Sequence, residues 1–190
     1  RPGPVSLSGP ARIATHRLGK TGMPGVSAVN RNMDWEGGMG AMESVRGSGR
    51  ISDLVTRIRD IERRVPKGEW IVTMPLGTPP EFSGMPGALA EGRWPNRHDL
   101  DQATQDHPVY IRSIWGYWRH TLPLVSIANS RALAECGVSG NTLPPAPAVT
   151  IQSDPADGEP TGLFIEEHFM PLVELTLMKR APAFTVEQRT

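Results

Sequence analysis

The sequence predicts an α/β protein with a few helices, short strands and long loops. Residues 51–65 repeat apolar side chains at helical spacing. Residues 69–74 and 108–114 are short apolar runs of the kind that form buried strands. Glycine and proline, 20 and 19 of 190 residues, make up about a fifth of the chain, which indicates long loops but not a disordered composition.

The helix at residues 51–65 has the clearest pattern in the chain. Ser52 or Asp53 can cap its start, and Pro66 and Gly68 are expected to end it. Its apolar face comprises Ile51, Leu54, Val55, Ile58, Ile61 and Val65.

The strands near 69–74 (EWIVTM) and 108–114 (PVYIRSI) are expected to be buried. In the second strand, alternation places Val109 on one face and Tyr110 on the other. The long stretch between the two strands is rich in proline and glycine and is therefore predicted to be mainly loop.

A second compact helix is predicted at residues 129–136 (NSRALAEC), with Leu133 and Ala134 facing inward. Asn129 or Ser130 can cap its start, and Gly137 suits the left-handed position after its last turn. Less marked patterns predict a short turn of helix that is capped by Asn96 or Asp99 and continues through 101–103. They also predict strands at 149–152 and 162–165 and a helix at 169–178.

Charge and hydropathy argue against several classes of partner. Twenty basic and twenty acidic residues cancel, and without a basic block we expect neither nucleic acid nor a membrane as partner. No apolar run approaches the roughly 20 residues that span a bilayer. The single cysteine, Cys136, excludes an internal disulfide within this sequence and fits a cytoplasmic protein.

Four stretches resemble, in order, the amidohydrolase-3 family of metal-dependent amidohydrolases. They are VPKGEWIV (65–72), LAEGRWPNRHDLDQATQDHPVYIRSI (89–114), ANSRALAECGV (128–138) and DGEPTGLFIEE (157–167). The resemblance covers roughly residues 51–167. It implies a hydrolase that acts on C–N bonds of small amide-type substrates.

The family fold is a (β/α)8 barrel, and the matching motifs belong to the long excursion between its first two strands. The resemblance therefore divides the chain into a Gly/Pro-rich entry, residues 1–50, and the excursion, residues 51–190. A complete barrel needs about 250 residues, so we expect an incomplete piece of one. A second polypeptide carrying the rest of the barrel, or a homo-oligomer, would complete it.

The entry segment GMPGVSAVNRNMD is similar to the family segment that leads into a His-x-His metal motif. Asn30 and Asn32 occupy the two histidine positions. An amide oxygen is a weaker ligand than imidazole for zinc, so the motif is interpreted as degenerate. We expect a divalent metal, zinc or similar, in the completed enzyme and none in this chain alone. An exposed Asn-Arg-Asn turn is the alternative.

The segment Trp115–His120 concentrates aromatic and cationic side chains after the second strand. It is interpreted as a substrate-binding wall whose rings accept an apolar acyl or aryl group, with Arg119 or His120 donating hydrogen bonds. The favoured alternative is that these aromatic side chains pack in the core or form a subunit interface. The candidate wall residues are Trp115, Tyr117, Trp118, Arg119 and His120.

Glu166 matches the glutamate that follows the family's Gly-Glu-Pro-Thr-Gly motif. It is the candidate catalytic residue, as a ligand or a base, although an ordinary exposed carboxylate is the favoured interpretation. Arg93, Arg97 and Asp99 are expected to form local polar links that hold a proline-rich loop, with a substrate role as the alternative.

Three functions follow. The first is a segment or small subunit of a metal-dependent amidohydrolase that contributes pocket wall rather than the whole metal site. The alternative is a metal-free structural or interaction subunit derived from the same fold. The third and weakest is a small-molecule binding module that uses the Trp115–His120 wall.

Overall fold

The computed structural model describes residues 49–73, 75–76, 85–113 and 122–182. These residues form an α/β fold with a mixed five-stranded sheet and four helices, which confirms the predicted class. The strands are β1 Ile71–Thr73, β2 Val109–Ile111, β3 Leu124–Ala128, β4 Val149–Ser153 and β5 Pro160–Glu166. The helices are α1 Ile51–Glu62, α2 Arg97–Asp101, α3 Ser130–Cys136 and α4 Leu172–Thr176.

The strand order in the sheet is β1-β2-β3-β5-β4. β1 pairs with β2 in parallel, with Ile71 opposite Val109, and the other neighbours are antiparallel. These directions bring the carboxyl ends of β1, β2 and β5 to one edge of the sheet. The amino ends of β3 and β4 lie at the same edge, where Leu124 and Val149 both pair with Glu166.

Each face of the sheet is covered by helices, because side chains alternate between the faces along every strand. One face packs against α1 and α2 through residues such as Val109, Ile111 and Ile127. The opposite face carries Tyr110 and Phe164 and packs against α3 and α4. Val109, Tyr110 and Phe164 are each fully buried, so the sheet forms the middle layer of the core.

Helix α1 confirms the main helical prediction, and its predicted apolar face is buried. It begins after Arg50 rather than at a Ser52 or Asp53 cap. The Glu91 carboxylate accepts from the Ile51 N–H at 3.1 and 3.2 Å, a cap supplied from a distant loop. The helix ends at Glu62, three residues before the predicted limit.

Helix α3 begins after Asn129, as predicted, and ends at Gly137, whose φ of 68° is left-handed. Leu133 is buried as expected, but Ala134 is exposed, and Ala132 takes the inward position. The inward face is shifted by one residue because the buried Asn129 fixes where the first turn meets the sheet.

The other helices and strands differ more from their predicted boundaries. β3 is a strand that the sequence reasoning did not predict. The short helix α2, Arg97–Asp101, is capped by Asn96, one of the two predicted caps, but it ends at Asp101 rather than at 103. The strands expected near 69–74 and 108–114 shorten to three residues each. The predicted helix 169–178 shortens to the five residues of α4.

Residues 1–48 lie outside the described part, so the predicted entry segment 1–50 is described only at its last two residues. In the described ranges, no helix is long and apolar enough to cross a membrane.

Candidate functional site

The candidate site lies at the sheet edge where β1, β2 and β5 end. In open α/β sheets, ligands commonly bind outside the carboxyl ends of strands. At this edge, β2 is followed by Arg112 and Ser113, and β5 ends at Glu166. All three residues are buried, which is unusual for charged side chains and therefore informative.

Glu166, the candidate catalytic residue, is 0% exposed, so the favoured expectation of an exposed carboxylate is wrong. Its Oε2 accepts a hydrogen bond from the Val173 N–H in α4 at 3.1 Å. Burial raises the pKa of Glu166 above the ordinary 4.5, and the nearby Glu174 carboxylate raises it further. The N–H groups of Val173 and Leu172 oppose that rise without cancelling it.

Arg112 supplies the positive charge at this edge and is 2% exposed. Its Nη2 donates to Glu174 Oε1 at 2.7 Å and to the Pro182 carbonyl oxygen at 3.1 Å. The Arg112–Glu174 ion pair is buried on both sides, so its geometry is protected from solvent and salt. Arg112 thereby joins the end of β2 to α4 and to the chain beyond it.

Two hydroxyl groups complete what we call the buried polar cluster: Tyr110, Arg112, Ser126, Glu166 and Glu174. Tyr110 and Ser126 are 0% exposed, and the strand register places them on the same sheet face as Glu166. Burial raises the pKa of Tyr110, so the phenol stays protonated. The Tyr110 and Ser126 hydroxyl groups lie close enough to interact with each other, and among the described residues Glu166 Oε1 is buried without a hydrogen-bond partner.

This arrangement can hold a proton on a carboxyl group. A buried glutamate with a raised pKa beside a second carboxylate is the environment in which carboxyl groups serve as acids or bases. The same contacts also tie α4 to the sheet, so the cluster has a structural role as well.

The other predicted site residues are not in the described part of the chain. The wall residues Trp115, Tyr117, Trp118, Arg119 and His120 fall in 114–121, and the metal positions Asn30 and Asn32 fall in 1–48. Their roles therefore remain predictions. Across the described ranges, no group of three or more His, Cys, Asp or Glu side chains is placed to hold a metal ion.

The predicted polar links in the proline-rich loop are confirmed for one pair. Arg93 Nη1 and Nη2 donate to Asp99 Oδ2 and Oδ1 at 2.7 and 2.9 Å. Asp99 Oδ2 also accepts from the Asn96 N–H at 2.8 Å, which caps α2. Arg97 Nη2 lies 3.6 Å from Asp157 Oδ2, which belongs to the turn between β4 and β5.

Sequence reasoning missed Arg112 and Glu174. A signal existed for Arg112, since it is the one charged residue in the apolar run PVYIRSI. A cation in a strand with both faces buried needs a buried partner. Glu174 carries no comparable signal, because its partner lies 62 residues away in the chain.

Comparison of the chain with protein-family models, with curated proteins and with solved structures finds no match.

Proposed function

We propose that this chain is a segment or small subunit of a metal-dependent amidohydrolase that hydrolyses C–N bonds in small amide-type substrates. The observation that carries the proposal is Glu166. The motif-bearing glutamate is a fully buried carboxyl group with a raised pKa at the carboxyl ends of the strands. The order of the four family-like stretches supports the same function.

The motifs that carry the resemblance also have structural roles in this chain. The Arg93–Asp99 pair closes the loop that contains EGRWPNRHDLD, and Asn129 of the NSRAL stretch is buried at the start of α3. The GEPTGLFIEE stretch forms β5 and ends beside Arg112 and α4. This agreement supports a shared fold element, whose origin in a (β/α)8 barrel is part of the proposal.

In this function, a divalent metal would supply hydroxide from bound water and polarise the substrate carbonyl. The side chains of the described residues do not fit a complete metal site, and the amides of Asn30 and Asn32 are weak ligands for zinc. The ligands would therefore come mainly from a second polypeptide carrying the rest of the barrel. The protein would act in the cytoplasm.

This chain would contribute the wall of the pocket. The stretch Trp115–His120 begins two residues after Ser113, which is buried and follows Arg112 of the polar cluster. Its aromatic side chains would pack against an apolar acyl or aryl group. Glu166 would hold or accept a proton behind that wall.

The test is native mass spectrometry of the protein isolated from its source, with elemental analysis of the same sample. We expect a complex with a larger chain and about one or two metal ions. That complex should hydrolyse members of a panel of N-acyl and N-aryl amides. A metal-free 20.7 kDa species with no amidase activity would overturn the proposal.

The Asn-x-Asn sequence favours one other function, a metal-free structural or interaction subunit derived from the fold. Replacing Asn30 and Asn32 with histidine discriminates between the amidohydrolase subunit and the metal-free subunit. Under this alternative, the isolated double variant takes up no zinc, and no metal accompanies the native complex. Stoichiometric zinc uptake by the double variant would contradict it.

A further inference from the structure

We propose that residues 171–182 form a strap whose hold on the sheet is released when the Glu166 carboxyl group loses its proton. We call these residues the C-terminal strap. The inference concerns the fold itself and does not depend on the proposed hydrolase function.

The strap is held by three polar contacts with two side chains of the sheet. Val173 N–H donates to Glu166, while Glu174 and the Pro182 carbonyl oxygen both accept from Arg112. All three bonds join residues far apart in the sequence or on different elements. The strap therefore depends on the charge state of the polar cluster.

Apolar contacts complete the attachment. Val173 and Met178 are fully buried against the sheet face that carries Tyr110 and Phe164. Leu175 is 54% exposed, so only one side of the five-residue α4 is covered. An isolated helix of this length is not stable in water, and it keeps its shape only while it is docked.

The charges around Glu166 make its ionisation unfavourable. Glu174 faces it from the strap, Arg112 and Tyr110 face it from β2 and the residue that follows, and His168 lies in the turn after β5. Arg112 is paired with Glu174, and ionisation of Glu166 places a second negative charge beside the Glu174 carboxylate. His168 is exposed, and its effect on Glu166 is the weakest of these: it lowers the pKa of Glu166 without cancelling the rise caused by burial.

The direction of the pH effect follows from the linkage between proton binding by Glu166 and opening of the strap. The docked strap raises the pKa of Glu166 above 4.5, chiefly by burial, whereas release returns the carboxyl group to water. The docked state therefore binds the proton more tightly, and its advantage is complete below about pH 4.5. As pH rises from there toward the docked-state pKa, the opening constant increases by at most about tenfold per pH unit and then levels off.

The strap is the element expected to open when Glu166 ionises. Local opening in proteins concentrates in segments with few buried contacts and exposed backbone. Its release is expected to expose the buried Glu166 carboxylate to water. The central strands β2, β3 and β5 stay paired with each other.

Cys136 makes the opening measurable, because it is the single cysteine of the chain. It lies at the end of α3, half-buried, where its thiol is close to the backbone of Arg180 in the strap. Release of the strap removes this contact and exposes the thiol. Labelling of Cys136 by a disulfide reagent thus reports on strap opening.

The experiment compares labelling rates of the full chain and its Glu166→Gln variant from pH 4 to pH 8, with a disulfide reagent that still reacts in acid. The thiol is the same in both proteins, so the rate ratio at each pH cancels the pH dependence of the thiolate. We expect the ratio of unaltered to variant protein to rise with pH by up to about tenfold per unit before a plateau. A ratio that stays constant within about twofold would overturn the proposal.

A second variant separates the carboxylate effect from general loosening. Glu174→Gln removes the ion pair, so labelling should be faster at every pH. It also removes one of the charges that raise the pKa of Glu166, so the rise with pH should be smaller. A rise as steep as in the unaltered chain would contradict the assigned role of Glu174.

If Glu166→Gln does not fold, hydrogen exchange of the unaltered chain tests whether the strap opens with rising pH. After correction for intrinsic exchange, amides of residues 172–178 should lose protection with rising pH, while those of residues 55–61 should keep theirs. Equal behaviour of the two segments would overturn the proposal.

Discussion

Asn129 and Val109 are joined by two hydrogen bonds that lock the start of α3 to the start of β2. The Asn129 N–H donates to the Val109 carbonyl oxygen at 3.1 Å, and its Oδ1 accepts from the Val109 N–H at 2.9 Å. The same Oδ1 caps α3 through the Ala132 N–H at 2.9 Å. One buried amide therefore ends a strand, begins a helix and fixes their relative positions.

Replacing Asn129 with alanine should destabilise the protein by about 2–4 kcal/mol. The side chain is fully buried, and its removal leaves the Val109 and Ala132 N–H groups without their acceptor, besides the lost cap. Urea denaturation gives the free energy of unfolding. Asn141→Ala, at an exposed position, is the control and should change it by less than about 0.5 kcal/mol. Equal effects of the two substitutions would refute the assigned role.

Asp99→Asn should reduce the acid sensitivity of the fold. Burial pushes the pKa of Asp99 up, but the hydrogen bonds from Arg93 and the Asn96 N–H outweigh it, so the pKa lies below 3.8. A carboxyl group with a lowered pKa gives its stabilisation above about pH 4, and loses it as pH falls through the folded-state pKa.

The measurement is thermal melting from pH 2 to pH 7. Asp99→Asn should be less stable than the unaltered protein at pH 7, by about 1–3 kcal/mol. This difference in the free energy of unfolding should become smaller as the pH falls. Asp106→Asn is the control, because its ion pair with Lys67 is solvent-exposed and should contribute little. A gap that does not narrow in acid would count against the Asp99 assignment.

Arg112→Met should destabilise the protein by about 3–5 kcal/mol, since it leaves the Glu174 carboxylate largely buried without its guanidinium partner. Adding Glu174→Met should recover much of that loss, because an apolar pair can replace a buried ion pair at low cost. Chemical denaturation of both single variants and the double variant gives the coupling energy. Purely additive effects would show that the pair is not coupled.

The matched control for that cycle is Arg131→Met with Glu135→Met. These residues form an ion pair four apart on α3, with the Arg131 side chain half exposed. We expect a coupling energy of no more than about 0.5 kcal/mol.

Gly162→Ala should cost far more than Gly137→Ala. Both glycines have positive φ, 86° and 68°, so alanine carries a backbone penalty of about 1–2 kcal/mol at each. At Gly162, a Cβ would also collide with the Ala128 carbonyl oxygen, whereas at Gly137 it would meet open space. Melting temperatures of the two variants test this. Similar losses would show that the collision is relieved by a shift of β3 against β5.

The parts of the fold that follow from local pattern were predictable. Helix α1 was recognised because one face repeats apolar residues at helical spacing, and α3 because a capping asparagine and a terminal glycine frame it. β3 was missed because its five residues (LVSIA) lie between a proline and the Asn129 cap, with too few positions for alternation to stand out. Its partner β5 lies more than thirty residues further along the chain.

The candidate site was predictable only in part. Glu166 was singled out by its motif, yet its burial depends on α4 and Arg112, which reach it through tertiary packing. The environment of a carboxyl group depends on such long-range contacts, and neither residue spacing nor composition encodes them. The same holds for the ion pair between Arg112 and Glu174.

The parallel contact between β1 and β2 also has a consequence for folding kinetics. β4 and β5 are linked by a short turn and can pair early, as a hairpin does. Joining Ile71 to Val109 requires closing a loop of more than thirty residues that includes α2. That closure costs entropy before any pairing energy is gained, so we expect β1 to join the sheet late and to be the first strand released when the chain unfolds.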